Sequence, residues 1–265
     1  MRACAALVTV SDPLLMDCAL ARYRPLLTPC QAPEGSHAGA AWYEGDSPVL
    51  IREPVAAGAA GLRFPARILS RQLFAGMVSG ARPFRAEDTP PFRFRSLVMV
   101  VSGALEAAAG PASRLAIPLH ISRNVAGNTV AEQLLHQFAS FLWPSRDLPL
   151  PQQLNAFGEA LRATLTLEDH WFSSDLGRDL AVIIGDGRRA VGATLNRPLW
   201  FERLQGLESC TACGGDPDGQ PLRHATLRCT AVVDAPQAPG PGWTALEQNR
   251  LFLIPRPGDI EVSRL

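Results

Sequence analysis

The sequence predicts an α+β fold. Three observations carry this expectation: short apolar β-type runs crowd the first hundred residues, helical patterns fill the middle, and β-type runs return from residue 180 onward. Alternating βαβ units would not segregate in this way. Cys4 to Val10 is a short apolar run closed by Ser11-Asp12-Pro13, which reads as a buried strand. Leu14 to Leu27 reads as a helix, with Ser11 or Asp12 as its cap and Pro13 in its first turn. Residues 28–40 hold Pro, Gly and Ser and read as a loop. Ala40 to Tyr43 and Pro48 to Arg52 read as two strands joined by a turn at Glu44-Gly45-Asp46. Arg67 to Met77 fits a helix or a strand. Pro83 to Phe94 reads as a polar, Pro-rich loop, and Arg95 to Val101 as a strand broken by Ser102-Gly103.

The clearest helix spans residues 129–142. Thr129 is placed to cap it, Glu132 completes a capping-box pattern, and Leu134, Leu135, Phe138, Phe141 and Leu142 share one face. A second helix is expected at 151–165. Strands follow at 180–184 and 189–194, joined by a turn at Gly185-Asp186-Gly187, and again at 225–233 and 251–254. Residues 209–222 read as a Gly-, Asp- and Pro-rich loop. No internal repeat is present, and the one linker-like stretch, Ala235 to Gly242, lies too near the end to separate a domain. Residues 1–265 are therefore expected to form one domain.

Composition narrows the function. The chain has 265 residues, of which 47 % are hydrophobic, enough for a large core. Its 25 basic residues, all Arg, balance 25 acidic ones, so no basic stripe argues for nucleic acid. No apolar stretch of about 18 residues exists, so no membrane span is expected. The N-terminal run is short for a signal peptide and lacks a convincing cleavage site. The six cysteines, at 4, 18, 30, 210, 213 and 229, then read as reduced thiols of a cytoplasmic protein.

Four segments, in order, resemble the class II glutamine amidotransferases. They are Gly39-Ala40-Ala41-Trp42-Tyr43-Glu44-Gly45; Pro91-Phe92 with Leu97 to Leu105; Gly127-Asn128-Thr129-Val130-Ala131-Glu132; and Leu180 to Pro198, which continues into Leu199-Trp200. The likeness spans nearly the whole chain and is greatest to the stand-alone bacterial members. It implies an N-terminal-nucleophile hydrolase fold, a four-layer αββα sandwich of two antiparallel sheets between helices. It also implies a chemistry: an N-terminal cysteine attacks the glutamine side-chain amide, its own α-amine serving as base. An Asn side chain and a Gly N–H hold the oxyanion, while an Arg and an Asp grip the substrate's α-carboxylate and α-amine.

The functional positions depart from that pattern. Arg2, not Cys, follows Met1, and its bulk is expected to keep Met1 in place, leaving Cys4 inside the chain. The oxyanion Asn corresponds to Ser102, whose hydroxyl is too short for the task, although Gly103 keeps its N–H. The substrate Arg falls on the stretch Ala75-Gly76-Met77-Val78, at Val78, and the substrate Asp on Val130. Glu132 is retained and reads as a helix cap. Arg2, Cys4, Ser102, Gly103 and Val130 are thus expected to mark a vestigial pocket, emptied of charge and partly filled by apolar side chains.

Cys210-x-x-Cys213, with His224 and Cys229 downstream, has the ligand count of a zinc site, but a plain loop is the default and no cofactor is expected. No βαβ setting supports a thioredoxin-like role. His37 reads as a surface-loop residue, with a place in the old pocket as the alternative. His136 and His170 read as structural histidines on helices or their ends, and Trp42, Trp200 and Trp243 as core or rim residues.

The resulting expectation is an amidotransferase-like protein that has lost glutaminase activity and acts as a partner or regulatory subunit of another protein. That partner would be an active homologue or a second copy, with no role for nucleic acid or membrane. Two alternatives stand beside it: an amide hydrolase that uses Cys4 after N-terminal processing, and a small-molecule binding module built on the altered pocket.

Overall fold

The computed structural model describes residues 5–27, 35–55, 64–65, 67–78, 85–103, 117–127, 129–145, 148–171, 179–207, 210, 212–213 and 221–265. The chain begins with β1 (Ala5–Val10), α1 (Met16–Leu27), β2 (His37–Glu44), β3 (Ser47–Pro54) and β4 (Gln72–Val78). Then come β5 (Phe92–Phe94), β6 (Leu97–Gly103), the single turn α2 (Leu119–Ser122), α3 (Val130–Leu142) and α4 (Leu150–Trp171). β7 (Leu180–Gly185), β8 (Ala190–Leu195), β9 (Leu199–Gln205), α5 (Pro221–Thr226), β10 (Arg228–Asp234), β11 (Thr244–Leu246), β12 (Arg250–Ile254) and β13 (Glu261–Arg264) complete it.

The strands form two antiparallel sheets, ordered β11-β9-β10-β1-β4-β2-β3 and β13-β12-β8-β7-β6-β5. Strand alternation sorts the side chains into three apolar layers. Ala6, Val8 and Val10 of β1 face outward and pack under Met16, Ala19, Leu20 and Tyr23 of α1. Ala5 and Leu7 face inward with Phe74, and meet Val98, Val100, Ile183 and Phe252 of the second sheet. Met99, Val101, Val182 and Ile184 leave the other side of that sheet and pack under Leu134, Leu135 and Phe138 of α3 and Phe157 and Leu161 of α4. The order is helix, sheet, sheet, helix. A strand covered on both faces needs few polar positions, so β7 is wholly apolar and β1 and β6 are apolar but for Thr9 and Ser102.

The local signals resolve as follows. Asp12, not Ser11, caps the first helical turn: its Oδ1 accepts from the Leu14 N–H at 3.0 Å, and the turn is a 3-10 segment, Pro13–Leu15, that leads into α1. The β2–β3 turn is tighter than expected, with Glu44 still paired to Ser47 and Gly45 at φ 64°. The ambiguous stretch Arg67 to Met77 yields β4, and the polar, Pro-rich stretch up to Phe94 is not all loop but contains β5. Residues 225–233 are not one strand, because α5 runs to Thr226 before β10 begins at Arg228. Strands β9, β11 and β13 extend the sheets beyond what periodicity suggested, and α4 runs on to Trp171. Among the described residues no helix is long and apolar enough to cross a membrane.

Candidate functional site

β1 begins, and β4, β6 and β10 end, at one end of the sandwich. Arg2 and Cys4 lie outside the described residues, but Ala5 opens β1 there, paired with Gly76 of β4. Ser102, the next-to-last residue of β6, is fully buried and turns its side chain inward. Its hydroxyl donates to Oδ2 of Asp234, at the end of β10, over 2.5 Å, a bond that joins the two sheets. Arg197, between β8 and β9, donates from Nε to the same oxygen at 2.9 Å and from Nη1 to Asp179 at 3.1 Å. The Arg197 carbonyl in turn accepts the Thr194 hydroxyl. Burial raises the Asp234 carboxyl above its usual range, against the opposing pull of Ser102 and Arg197.

Gly103 keeps the end of β6 open to this arrangement. Its φ is +106°, and a Cβ there would lie 1.9 Å from the Asp179 carbonyl oxygen. Only glycine lets the β7 backbone pass at that distance.

Around Ser102 the cluster is polar, charged and mutually hydrogen-bonded. Val130 does not share it. Val130 is buried in the layer between the second sheet and its helices, together with Val101, which alternates with Ser102 along β6. Val130 is thus buried in the helix-side apolar layer, whereas the Ser102 side chain bonds to Asp234 of the other sheet. Val78 ends β4, opposite His37. Sequence reasoning missed Asp234 and Arg197; the one hint was an Asp directly after the apolar run Ala231 to Val233, and nothing local links it to an Arg in a distant turn.

Glu132 serves as a cap, with a different geometry from the expected box. Thr129 Oγ1 accepts from the Glu132 N–H at 3.1 Å. The Glu132 carboxylate, however, reaches past Thr129 to accept from the N–H groups of Ala126 at 2.9 Å and Gly127 at 2.6 Å. A side chain at residue 127 would collide with Asp88, Glu87 and Glu132.

The cysteines regroup. Cys18 on α1, Cys210, Cys213 and His224 on α5 bring their sulfur and nitrogen atoms within 4.8 Å of one another. His224 Nε2 lies 3.3 Å from Cys18 Sγ and 3.7 Å from Cys213 Sγ. Cys229, which the sequence had grouped with Cys210, Cys213 and His224, is fully buried on β10 opposite Val10 and Leu204, and burial pushes its thiol up to about 12. It is Cys18 that completes the group, from 206 residues before His224. Such a separation leaves no spacing signal in the sequence.

His37 is a strand residue, 8 % exposed, where a surface loop had been expected, and burial lowers its pKa. His136 is buried on α3, with Nδ1 2.9 Å from the Glu132 carbonyl and its ring edge-on to Phe94. Its Nε2 has no hydrogen-bond partner among the described residues, so it is only half satisfied. His170 falls within α4, but its side chain is outside the described set. Trp42 is buried in the α1 layer, with Trp200 and Trp243 packed against that layer. A cleft of about 180 Å³, lined by Phe94, Trp143, Phe157 and Arg189, opens at the far end of the second sheet, away from Ser102.

Two antiparallel sheets face to face, with a helical layer on either side, are the fold seen in solved glutamine amidotransferase class-II proteins. Two solved structures share it across almost their full lengths. One is a glutamine aminotransferase class-II domain protein from Silicibacter pomeroyi, with a TM-score of 0.56, 16 % identity and 98 % of each chain covered. The other is a predicted glutamine amidotransferase from Pseudomonas aeruginosa, with a TM-score of 0.53, 16 % identity, and 97 % of this chain and 95 % of that one covered. No protein-family model and no curated protein sequence matches the chain.

Proposed function

We propose that this chain keeps the amidotransferase fold without the glutaminase chemistry and acts as a non-catalytic partner or regulatory subunit of another protein. The observation that carries the proposal is the buried bond from Ser102 to Asp234. A developing oxyanion needs donors aimed at it, held in place beforehand. At Ser102 the side-chain proton is committed to a carboxylate, and Asp234 itself presents negative charge to that spot. Arg197, the nearby cation, is engaged by two carboxylates. The side chains at 78 and 130, where the resemblance puts the grips for a glutamine zwitterion, are both apolar.

A fold without its chemistry can still serve assembly. Among the described residues β3 and β11 are the edges of one sheet and β5 and β13 those of the other, and an edge strand has backbone groups that a further strand can pair with. The partner we favour is an active amidotransferase of the same fold or a second copy of this chain.

Ammonia release from glutamine tests the first half directly. The purified protein is expected to match a heat-treated control, and glutamine is expected to leave the melting temperature unchanged. Turnover abolished by Cys4→Ala would overturn the reading in favour of an active hydrolase. Sedimentation of the protein alone, and mixed with an active homologue whose ammonia release is followed, tests the second half. A strictly monomeric chain with no effect on that rate would remove the proposed role.

A further inference from the structure

We propose that Cys18, Cys210, Cys213 and His224 form a structural zinc site that clasps the segment between β9 and β10 onto α1. Tetrahedral zinc has Zn–S near 2.3 Å and Zn–N near 2.0–2.1 Å, which places sulfur about 3.5 Å from nitrogen and sulfurs about 3.8 Å from one another across the metal. The two sulfur–nitrogen distances seen, 3.3 and 3.7 Å, bracket the first figure, and all four donor atoms already lie within 4.8 Å. Ordinary packing does not bring three thiols and an imidazole edge to one point.

The ligand set also selects the metal. Three thiolates and one neutral imidazole are soft donors, which favour zinc over magnesium or calcium. Four protein ligands close a tetrahedron and leave no position for a reacting water, so the site is structural, not catalytic. Cys18 and His224 are buried, while Cys210 and Cys213 are half-buried at the edge of the α1 layer. Among the four, Cys210 and Cys213 lie between β9 and α5, Cys18 belongs to the first helix and His224 to α5. One ion would thus bind three separate parts of the chain. The segment it fixes leads into β10, the strand that ends at Asp234.

The test uses the full chain, purified under reducing conditions from zinc-supplemented medium. Elemental analysis is expected to find about one zinc per chain. Replacement by Co²⁺ is expected to give the thiolate-to-metal charge-transfer and intense d–d bands of a tetrahedral site. Cys210→Ser and Cys18→Ser should each lose most of the bound metal, while Cys229→Ser should retain it. Should Cys18→Ser fail to fold, the cobalt spectrum of the unaltered protein and its loss on titration with a chelator decide the matter. The proposal fails if the unaltered protein holds far less than one metal and gives no tetrahedral cobalt spectrum. It fails equally if a soluble Cys18→Ser protein keeps both the metal and an unchanged spectrum.

Discussion

Arg197 sits in the Asn-Arg-Pro turn after β8, yet it governs the energetics of a residue at the end of β10. Asp234 is 2 % exposed, and its charge is tolerated because Arg197 and Ser102 share one of its oxygens. Removing Arg197 alone strands that carboxylate. Arg197→Ala is therefore expected to cost about 3 kcal/mol, the low end for a broken buried pair because the guanidinium keeps some solvent. Asp234→Asn removes the charge itself and is expected to cost less; urea unfolding of both variants tests the order. The pH dependence has a definite sign. Burial raises the folded-state pKa of Asp234 above its unfolded value, so between the two the folded chain binds the extra proton. The contribution of this group to stability thus falls as pH rises through that window. Unfolding melts taken from about pH 4 to pH 7 should show this downward contribution in the unaltered protein relative to Asp234→Asn. A difference between the two that is flat with pH would mean Asp234 titrates no differently when folded. Ser102 was legible in the sequence because a likeness of segments placed it. Its partners were not, since each is ordinary in its own local context.

The entry to α3 shows how an element is held from outside its own sequence pattern. Thr129 satisfies one N–H at the helix start, so Thr129→Ala should cost about 1 kcal/mol. Glu132 holds two N–H groups of the preceding turn, with Gly127 buried beneath it, so Glu132→Ala should cost more, about 1.5–3 kcal/mol. A simple capping box would not make the second loss the larger, and thermal melts of the two variants distinguish the cases. Val130→Asp places an unpaired carboxylate in the apolar layer beneath the helix. It is expected to lower the melting temperature and to confer no glutamine-dependent rise; a glutamine-dependent rise would mean that position 130 still belongs to an amino-acid site. At this scale the sequence was informative where burial is symmetric. β1, β6 and β7 stand out as apolar runs and α3 by its apolar periodicity. β13 does not, because all four of its residues are exposed and its pairing to β12 defines it. β9 does not, because its position 202, on the face turned to α1, is a glutamate, bound to Arg22 and to the Tyr23 hydroxyl of α1 at 2.8 Å. The cysteine group failed for a related reason: proximity along the chain favoured Cys229, whereas the fold supplied Cys18 from the first helix.

The two sheets are joined through a shared core, and that core decides how the whole molecule unfolds. Leu7, Phe74 and Val232 on one side and Val98, Ile183 and Phe252 on the other form one buried layer. Polar contacts cross it as well. The Tyr43 hydroxyl of the first sheet lies 2.7 Å from the Ser96 carbonyl and 2.9 Å from that of Gly185, both on the second-sheet side. The Gln72 side chain accepts from the Gly187 N–H at 2.9 Å. Neither sheet can leave without exposing the inner face of the other, so we propose that the chain behaves as one domain with a single cooperative transition. Phe252 is the most telling position to alter, because its ring is fully buried at Gly192 and reaches the opposite sheet's apolar face. Phe252→Ala is expected to cost about 3–5 kcal/mol. It should shift the urea midpoint without changing the slope, since the surface exposed on unfolding stays that of the whole sandwich. Far-UV circular dichroism and tryptophan fluorescence should trace the same curve before and after the substitution, in protein saturated with zinc so that metal loss adds no separate step. Two resolved transitions, or a slope that falls in the variant, would show that the layers on the two sides of the inner core unfold independently.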